Sequence, residues 1–201
     1  NYAVYPHNGY RYWYDYFEQF VEGTPHQVDG RARYRRWYPE FPETGYTFAM
    51  PVVYTWQDIY GWYDFADPDF RWFYNMLKVG SNAGQSTPAA VPLITFVHWH
   101  TVILSDPPPP HQQFSEEKYR ELLWHLLLRG HDALFMWSPK SEALKESQLV
   151  HQVYSASHPY SDFLLHGEPV TFTVPTQPGP VVSALRRGNQ LLVRRTDFDA
   201  N

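Results

Sequence analysis

The sequence contains no cysteine, which excludes disulfide bonds, thiolate metal sites and a cysteine nucleophile. It also has no run approaching the ~20 apolar residues that a membrane span requires. Its 16 basic and 21 acidic residues give a net charge of −5, so no general attraction to nucleic acid or to an anionic membrane is expected. The chain opens at Asn1 without a signal peptide, and we expect that a segment has been removed from its front.

Aromatic residues, by contrast, are abundant and make up 18% of the chain, with 16 Tyr and 8 Trp. Both side chains combine an apolar face with a polar tip, which suits the stacking of sugars and equally suits a thick aromatic core. One basic run, Arg31, Arg33, Arg35 and Arg36, is interleaved with aromatics. It is interpreted as a solvated loop, with a subsite for an acidic polysaccharide as the alternative.

Four segments read as buried strands: residues 2–5, 48–55, 91–100 and 133–137. Helices are expected over residues 70–79, where Gly80 could close the helix, and from the cap Ser115 to Gly130. A last helix is expected over residues 142–163, with an interruption near His158-Pro159. Alternating strands and helices of these lengths predict parallel βα units.

The fold class predicted is therefore α/β, with the C-terminal half of a (β/α)8 TIM-type barrel followed by a small antiparallel β element. Residues 1–166 would form the four βα units, and residues 167–201 a strand appendage that could belong to a β-sandwich. Within the appendage, strands are expected at 170–174, 181–185 and 191–195. The last two would be joined by a hairpin turn at Gly188-Asn189.

In a (β/α) barrel the chemistry lies where strands end and loops begin. Aromatic and imidazole groups crowd these positions, which favours a sugar site over a purely structural core. The candidate substrate-binding residues are Tyr5, His7, Asn8, Trp56, Asp58, His98, Trp99 and His100. His98 and His100 alternate on one strand and face the same side, but without a third ligand they make a weak zinc signal. We predict no metal and no cofactor.

Glycoside hydrolysis normally requires two carboxyl groups, or one carboxylic acid and a substrate N-acetyl group. The acids nearest the predicted strand ends are Asp58, Asp64, Asp67 and Asp69 in one loop, and Glu142 after the fourth strand. None stands at a strand end in an acid-x-acid arrangement, and Asp67-Pro68-Asp69 is better explained as the start of a helix. No convincing general acid is visible.

Four motifs in order resemble the hyaluronidase family of glycoside hydrolases across residues 1–165. They are Tyr2-Ala3-Val4-Tyr5-Pro6, Met50-Pro51-Val52-Val53-Tyr54, the aromatic strand from Pro92 to His100, and Leu128-Arg129-Gly130-His131-Asp132 through Trp137-Ser138. The resemblance implies that Tyr54, Trp137 and, if one inserted residue is allowed, Tyr2 shape the site around a substrate N-acetyl group. It places the proton donor and its partner acid on a strand preceding these four. The family's cysteines are absent here, and its Trp-Gly is Trp137-Ser138.

The function expected is that of an endo-acting glycoside hydrolase on a polysaccharide, for which an N-acetylated glycosaminoglycan is one candidate. Its general acid would lie on an N-terminal half of the same barrel, present as a separate or cleaved chain. The alternatives are a non-catalytic carbohydrate-binding protein and a structural partner subunit whose aromatics fill an interface. The expected location is secreted or periplasmic.

Overall fold

A computed structural model of the chain describes residues 48, 50–51, 68–87, 91–100 and 114–198. These residues form a mixed α/β structure. Its elements, in chain order, are α1 (Pro68–Ser86), β1 (Ile94–Val97), α2 (Glu116–Leu127), β2 (Ala133–Met136), α3 (Ala143–Ser157), a 3-10 turn (His158–Tyr160), α4 (Ser161–His166), β3 (Glu168–Pro169), β4 (Pro180–Arg187) and β5 (Gln190–Asp197).

Strands β1 and β2 are parallel neighbours and confirm the third and fourth predicted strands. Their register runs from Ile94 opposite Ala133 to Val97 opposite Met136. On the other side of β1, the Phe96 N–H donates to the Pro51 carbonyl at 3.0 Å, so part of the second predicted strand lies beside β1. Helix α2 connects β1 to β2, as expected of a parallel unit. The strands described do not close into a barrel.

Helix α2 begins and ends as the sequence predicts. The Ser115 hydroxyl caps it by accepting the Lys118 N–H at 3.2 Å, with Glu116 and Glu117 in the first turn, where the helix dipole favours acids. Gly130 follows the helix with a φ of 87°, a left-handed conformation that favours glycine. The buried stripe of α2 joins the main core, which also includes Phe70, Phe73 and Leu77 of α1.

Helix α1 is longer than predicted and passes through both Gly80 and Gly84 to end at Ser86. These glycines allow α1 to approach the end of α2 closely. A Cβ on Gly80 would lie 2.5 Å from Leu126 Cδ2, and one on Gly84 would lie 2.5 Å from the Arg129 carbonyl oxygen. The prediction that Gly80 ends α1 is wrong because the residue serves helix packing. The small size of Gly80, rather than its conformational freedom, allows the two helices to pack closely.

The interruption predicted near His158-Pro159 is confirmed, since α3 passes into the 3-10 turn at His158. The hairpin is confirmed as well: Arg187 pairs with Gln190, and Gly188 has a φ of 56°. The strand predicted at residues 170–174 is wrong. Pairing with β4 covers Glu168–Pro169 and ends with the Val170 N–H, which donates to the Ala184 carbonyl at 2.9 Å; further on, the Thr173 carbonyl accepts a hydrogen bond from Arg129 Nη2 at 3.0 Å. A buried side chain thus takes the acceptor that a strand partner would have used.

Arg129 fastens the β3–β5 sheet to the helices. Its side chain is fully buried, and its guanidinium donates to Ser183 Oγ at 2.7 Å, to Ser81 Oγ at 2.7 Å and to the Val182 carbonyl at 3.1 Å. The acceptors are neutral, and burial lowers its pKa to about 10. Next to it, His125 interacts with Ser183 Oγ at 2.7 Å and with Thr196 Oγ1 at 2.9 Å. The hairpin is therefore held by a buried polar network.

The predicted domain boundary at 166/167 stays a prediction.

No helix in the described part of the chain is long and apolar enough to cross a membrane.

Candidate functional site

The residues that follow β1 and β2 meet at one edge of the parallel pair. Because Val97 lies opposite Met136, the segments 98–100 and 137–138 leave the sheet side by side. The Trp137 N–H donates to the Val97 carbonyl at 3.0 Å and fixes this junction. This edge is the one where (β/α) folds carry their functional side chains, and we call it the rim.

Five rings form a continuous group here, which we call the rim cluster. Its members are Phe96, His98, His100, Phe135 and Trp137. The Trp137 ring centroid lies 5.8 Å from Phe96, 6.4 Å from His98 and 5.3 Å from His100. Trp137 is 38% exposed and Phe135 47%, whereas His98 and His100 are buried. Buried imidazoles thus support an indole that remains accessible.

The geometry constrains the protonation of the two histidines. His98 Nδ1 lies 3.2 Å from the His100 carbonyl, which can only accept, so Nδ1 of His98 carries a proton. Burial, reinforced by the neighbouring His98, lowers the pKa of His100 to about 4. His100 is therefore neutral at pH 7. Neutral imidazoles both donate and accept hydrogen bonds, which suits hydroxyl groups of an uncharged ligand.

His98 and His100 together offer two metal-ligating side chains, one fewer than a catalytic zinc site normally takes from the protein. In the part of the chain that the structure describes, no group of three or more His, Cys, Asp or Glu side chains could hold a metal ion. We assign neither a metal nor a cofactor to this pair.

A buried carboxyl group, Glu146, lies beneath the rim and was not found from the sequence. Its Oε1 accepts the Trp99 N–H at 3.0 Å and the Tyr119 hydroxyl at 2.6 Å. Burial raises its pKa, and the negative charge of Glu142 adds to this. Hydrogen bonds from Tyr119, Ser138 and Trp99 act in the opposite direction. The Ser138 Oγ and Glu146 Oε2 are both buried, and neither forms a hydrogen bond of normal geometry. The contact between Ser138 and Glu146 is therefore weaker than the hydrogen bonds from Tyr119 and Trp99.

Glu146 therefore connects helix α3 to the segment after β1 and to helix α2. The sequence signal for it was present, since the buried residues of α3 are Glu146, Leu149, Val153 and Ser157, spaced by three or four positions. An acid on the apolar face of a helix indicates a buried partner. Glu146 lies on a helix and not at a strand end, where Glu142 is the nearest acid after the fourth predicted strand.

Trp99 lies apart from the rim cluster in its described contacts. Its indole Nε1 donates to the Phe114 carbonyl at 2.6 Å, and the ring packs against the main core. Strand alternation explains this difference from His98 and His100. The other predicted site residues, Tyr2, Tyr5, His7, Asn8, Tyr54, Trp56 and Asp58, lie outside the described residues.

The acids considered in the loop before α1 lie outside the described residues, apart from Asp69. Asp69 stands in the first turn of α1, and its Oδ1 accepts the Ser115 N–H at 2.7 Å. Its observed contact thus joins the starts of α1 and α2. This supports the interpretation of this acid as part of a helix start.

Fold and site together define a class: an α/β protein whose parallel strands present an aromatic and imidazole cluster at their carboxyl ends. The chain matches no protein-family model, no curated protein and no solved structure. The resemblance to hyaluronidases therefore stays an expectation from the sequence motifs.

Proposed function

We propose that the rim binds a polysaccharide and belongs to an endo-acting glycoside hydrolase built on a (β/α) barrel. The observation that carries the proposal is the exposed Trp137 indole, which lies within 6.4 Å of two buried imidazoles. Sugar rings have apolar C–H faces that pack on indoles, and hydroxyl groups that exchange hydrogen bonds with neutral imidazoles. In the rim cluster the exposed indole adjoins His100, the less completely buried of the two imidazoles.

Strand order supports the half-barrel part of the proposal. The segment at Pro51, strand β1 and strand β2 are neighbours in the same order as in the sequence, with α1 and α2 as the connections. Sequential neighbours joined by helices fit the pattern of a (β/α) barrel, and the pair β1–β2 is parallel. The rings of the rim cluster would then face the barrel interior and its mouth.

In this proposal Glu146 positions the rim and does not transfer the proton. A general acid must come within hydrogen-bond reach of the glycosidic oxygen. Glu146 is fully buried, and its Oε1 is already bound by two donors. The acid pair of the hydrolase would therefore come from another part of the barrel, as the hyaluronidase resemblance suggests. The same resemblance makes an N-acetylated glycosaminoglycan the first substrate to test.

A second candidate is a non-catalytic carbohydrate-binding protein. The structural role of Glu146 favours this candidate, because the buried carboxyl beneath the rim is then not available for chemistry. The two candidates share the sugar-binding rim and differ only in turnover. A structural partner subunit, the third candidate, would show neither sugar binding nor turnover.

The test replaces Trp137 with alanine and measures both binding and hydrolysis of hyaluronan and of a neutral polysaccharide. Loss of the indole should weaken binding, or lower kcat/KM where turnover occurs, by about tenfold or more, which corresponds to about 1.4 kcal/mol. Tyr154→Ala is the matched control, since Tyr154 is 39% exposed on α3 and is not part of the rim cluster.

Binding that is lost in Trp137→Ala, with no turnover in either protein, would select the non-catalytic candidate. Binding and turnover that are both unchanged in Trp137→Ala would contradict the assignment of the rim as a sugar site.

A further inference from the structure

A concave site lies away from the rim, between α2, the end of α3 and β5. Its volume is about 480 Å³, within the range of small-molecule sites. Its polar and aromatic lining comes from Arg120, Glu121, Trp124, Gln152, Tyr160 and Arg194. We call it the α2–β5 cleft.

The cleft and the rim are separate. Helix α2 starts near the rim, where the Phe114 carbonyl meets the Trp99 indole, and it ends near the start of β2, where the Asp132 N–H donates to the Leu93 carbonyl. The cleft is lined by the middle and end of α2, on the side where β5 contacts that helix through Arg194 and Glu121. Its lining shares no residue with the rim cluster.

Two aromatic side chains define one wall. The Trp124 ring is 9% exposed and therefore held in place, with the Arg194 guanidinium 5.4 Å from its centroid. Tyr160 is 42% exposed, and its ring meets Trp124 edge to face at 6.2 Å. The exposed tyrosine is thus braced by a fixed indole, as a stacking platform requires.

The charge of the lining favours an anion. Arg194 is already neutralised by Glu121, with Nε donating to Oε2 at 2.8 Å and a second bond between Nη2 and Oε1. Arg120 lies 3.8 Å from Glu116 in an exposed pair, and its Nη1 donates to Gln152 Oε1 at 3.2 Å. Two cations and one anion line the cleft, and Arg120 carries the positive charge that is least strongly paired. A guanidinium binds a carboxylate with two parallel hydrogen bonds.

We propose that the α2–β5 cleft binds an acidic sugar unit of a polysaccharide, a uronic acid residue. The sugar ring packs on Tyr160, its carboxylate binds Arg120, and the Gln152 amide contacts a hydroxyl. This site goes beyond the rim proposal and does not depend on it, because it would hold the chain on a polymer whether or not the rim binds or cleaves.

The test is affinity electrophoresis of the purified protein through gels that contain polygalacturonate, dextran or poly-L-glutamate. It is performed in the Trp137→Ala background so that binding at the rim does not contribute. Polygalacturonate should retard this protein, and Tyr160→Ala or Arg120→Ala should weaken the retardation by about tenfold or more. Tyr154→Ala, which removes an equally exposed tyrosine of the preceding helix, should leave it unchanged.

Several results would overturn the proposal. They are no retardation by polygalacturonate, retardation that survives Tyr160→Ala and Arg120→Ala, and equal retardation by poly-L-glutamate, which would indicate charge alone. Retardation by dextran instead of polygalacturonate would also reject the assignment of an acidic sugar. A negative result for Trp137 in the rim test has no bearing on these outcomes, so the two proposals fail separately.

Discussion

At the scale of single residues, Glu146 and Arg129 show two ways of burying a charged group. Glu146 accepts hydrogen bonds from the Trp99 N–H and the Tyr119 hydroxyl. Burial raises its pKa and so favours the neutral carboxylic acid. Arg129 keeps neutral acceptors around its guanidinium, and its pKa of about 10 leaves it charged at neutral pH. The carboxyl can lose its charge at low cost, and the guanidinium cannot.

This difference predicts how Glu146 responds to substitution. Glu146→Gln keeps an acceptor oxygen for Trp99 and Tyr119 and removes a poorly solvated charge, so the free energy of unfolding at pH 8 should stay within about 1 kcal/mol of the wild type. Glu146→Ala leaves a buried N–H and a buried hydroxyl unsatisfied and should cost about 2–4 kcal/mol. Urea denaturation measures both values.

The sign of the pH effect follows from the raised pKa of Glu146. Its contribution is fully present below the unfolded pKa and is lost as pH rises through the folded pKa. Glu146→Gln should therefore gain stability relative to wild type between pH 4 and pH 8. An equal loss in the Gln and Ala variants would show that the carboxylate charge itself is required.

Buried neutral histidines predict the acid sensitivity of the fold. Burial is the main cause that lowers the pKa of His125 and His131 to about 3, with Arg129 also contributing, and that of His100 falls to about 4. Between pH 6.5 and about 4 the unfolded chain binds protons that these folded groups do not, so the free energy of unfolding falls as pH is lowered. The expected slope is about 1.4 kcal/mol per pH unit for each histidine.

The check is the urea midpoint of wild type and of His125→Gln between pH 4 and pH 7. His125→Gln should be less stable at pH 7, since its ring contacts Ser183 and Thr196, but its stability should fall less steeply with pH. His151→Gln, which replaces an exposed histidine of α3, serves as the control variant. Identical slopes in all three proteins would count against neutral burial of His125.

At the scale of elements, close packing between α1 and the end of α2 depends on glycine. Gly80→Ala and Gly84→Ala each gain about 1 kcal/mol of helix propensity. The new Cβ of Gly80→Ala would meet the Leu126 side chain, whereas that of Gly84→Ala would meet the Arg129 backbone carbonyl. A side chain can adjust and a backbone carbonyl cannot, so both variants should be destabilised, by about 1–3 kcal/mol, with Gly84→Ala the worse. Thermal unfolding gives the order, and a stabilised Gly84→Ala would refute the tight contact.

Elements with their own local signals could be predicted from the sequence. The Ser115 cap, the 3-10 interruption at His158 and the turn at Gly188 each depend on residues within one turn of the chain. What failed depends on partners distant in sequence. The role of Gly80 follows from its contact with Leu126, and the lack of a strand at residues 170–174 follows from the hydrogen bond to Arg129. The burial of Glu146 follows from its hydrogen bonds with Trp99 and Tyr119. For His98, His100 and Trp137 the sequence predicted the position at a strand end. It did not predict the contacts between their rings.

At the scale of the whole molecule, the two faces of the β1–β2 pair differ. On one face Thr95 and Val97 are buried beside the helical layer, and Thr95 Oγ1 contacts His131 Nδ1. On the other, the Phe135 and Phe96 rings are stacked at 5.5 Å, and Phe135 is still 47% exposed. Parallel sheets are found with both faces covered. The proposed barrel would account for the exposure of Phe135, since its further strands would cover this side of the pair.

We predict that residues 1–201 expressed alone do not form a stable monomer. In a (β/α) barrel the interior is filled by side chains from all eight strands, and the face that carries Phe96, Phe135 and Trp137 supplies only part of that set. Each 100 Å² of apolar surface left in water costs about 2.5 kcal/mol, a large part of the net stability of a domain. Sedimentation should show self-association, which the further strands of the proposed barrel should suppress when they are supplied. The matched variant Phe135→Ser, which makes this face more polar, should reduce the self-association. A stable monomer would refute the half-barrel interpretation and favour a fold in which this face is covered by the chain's own residues.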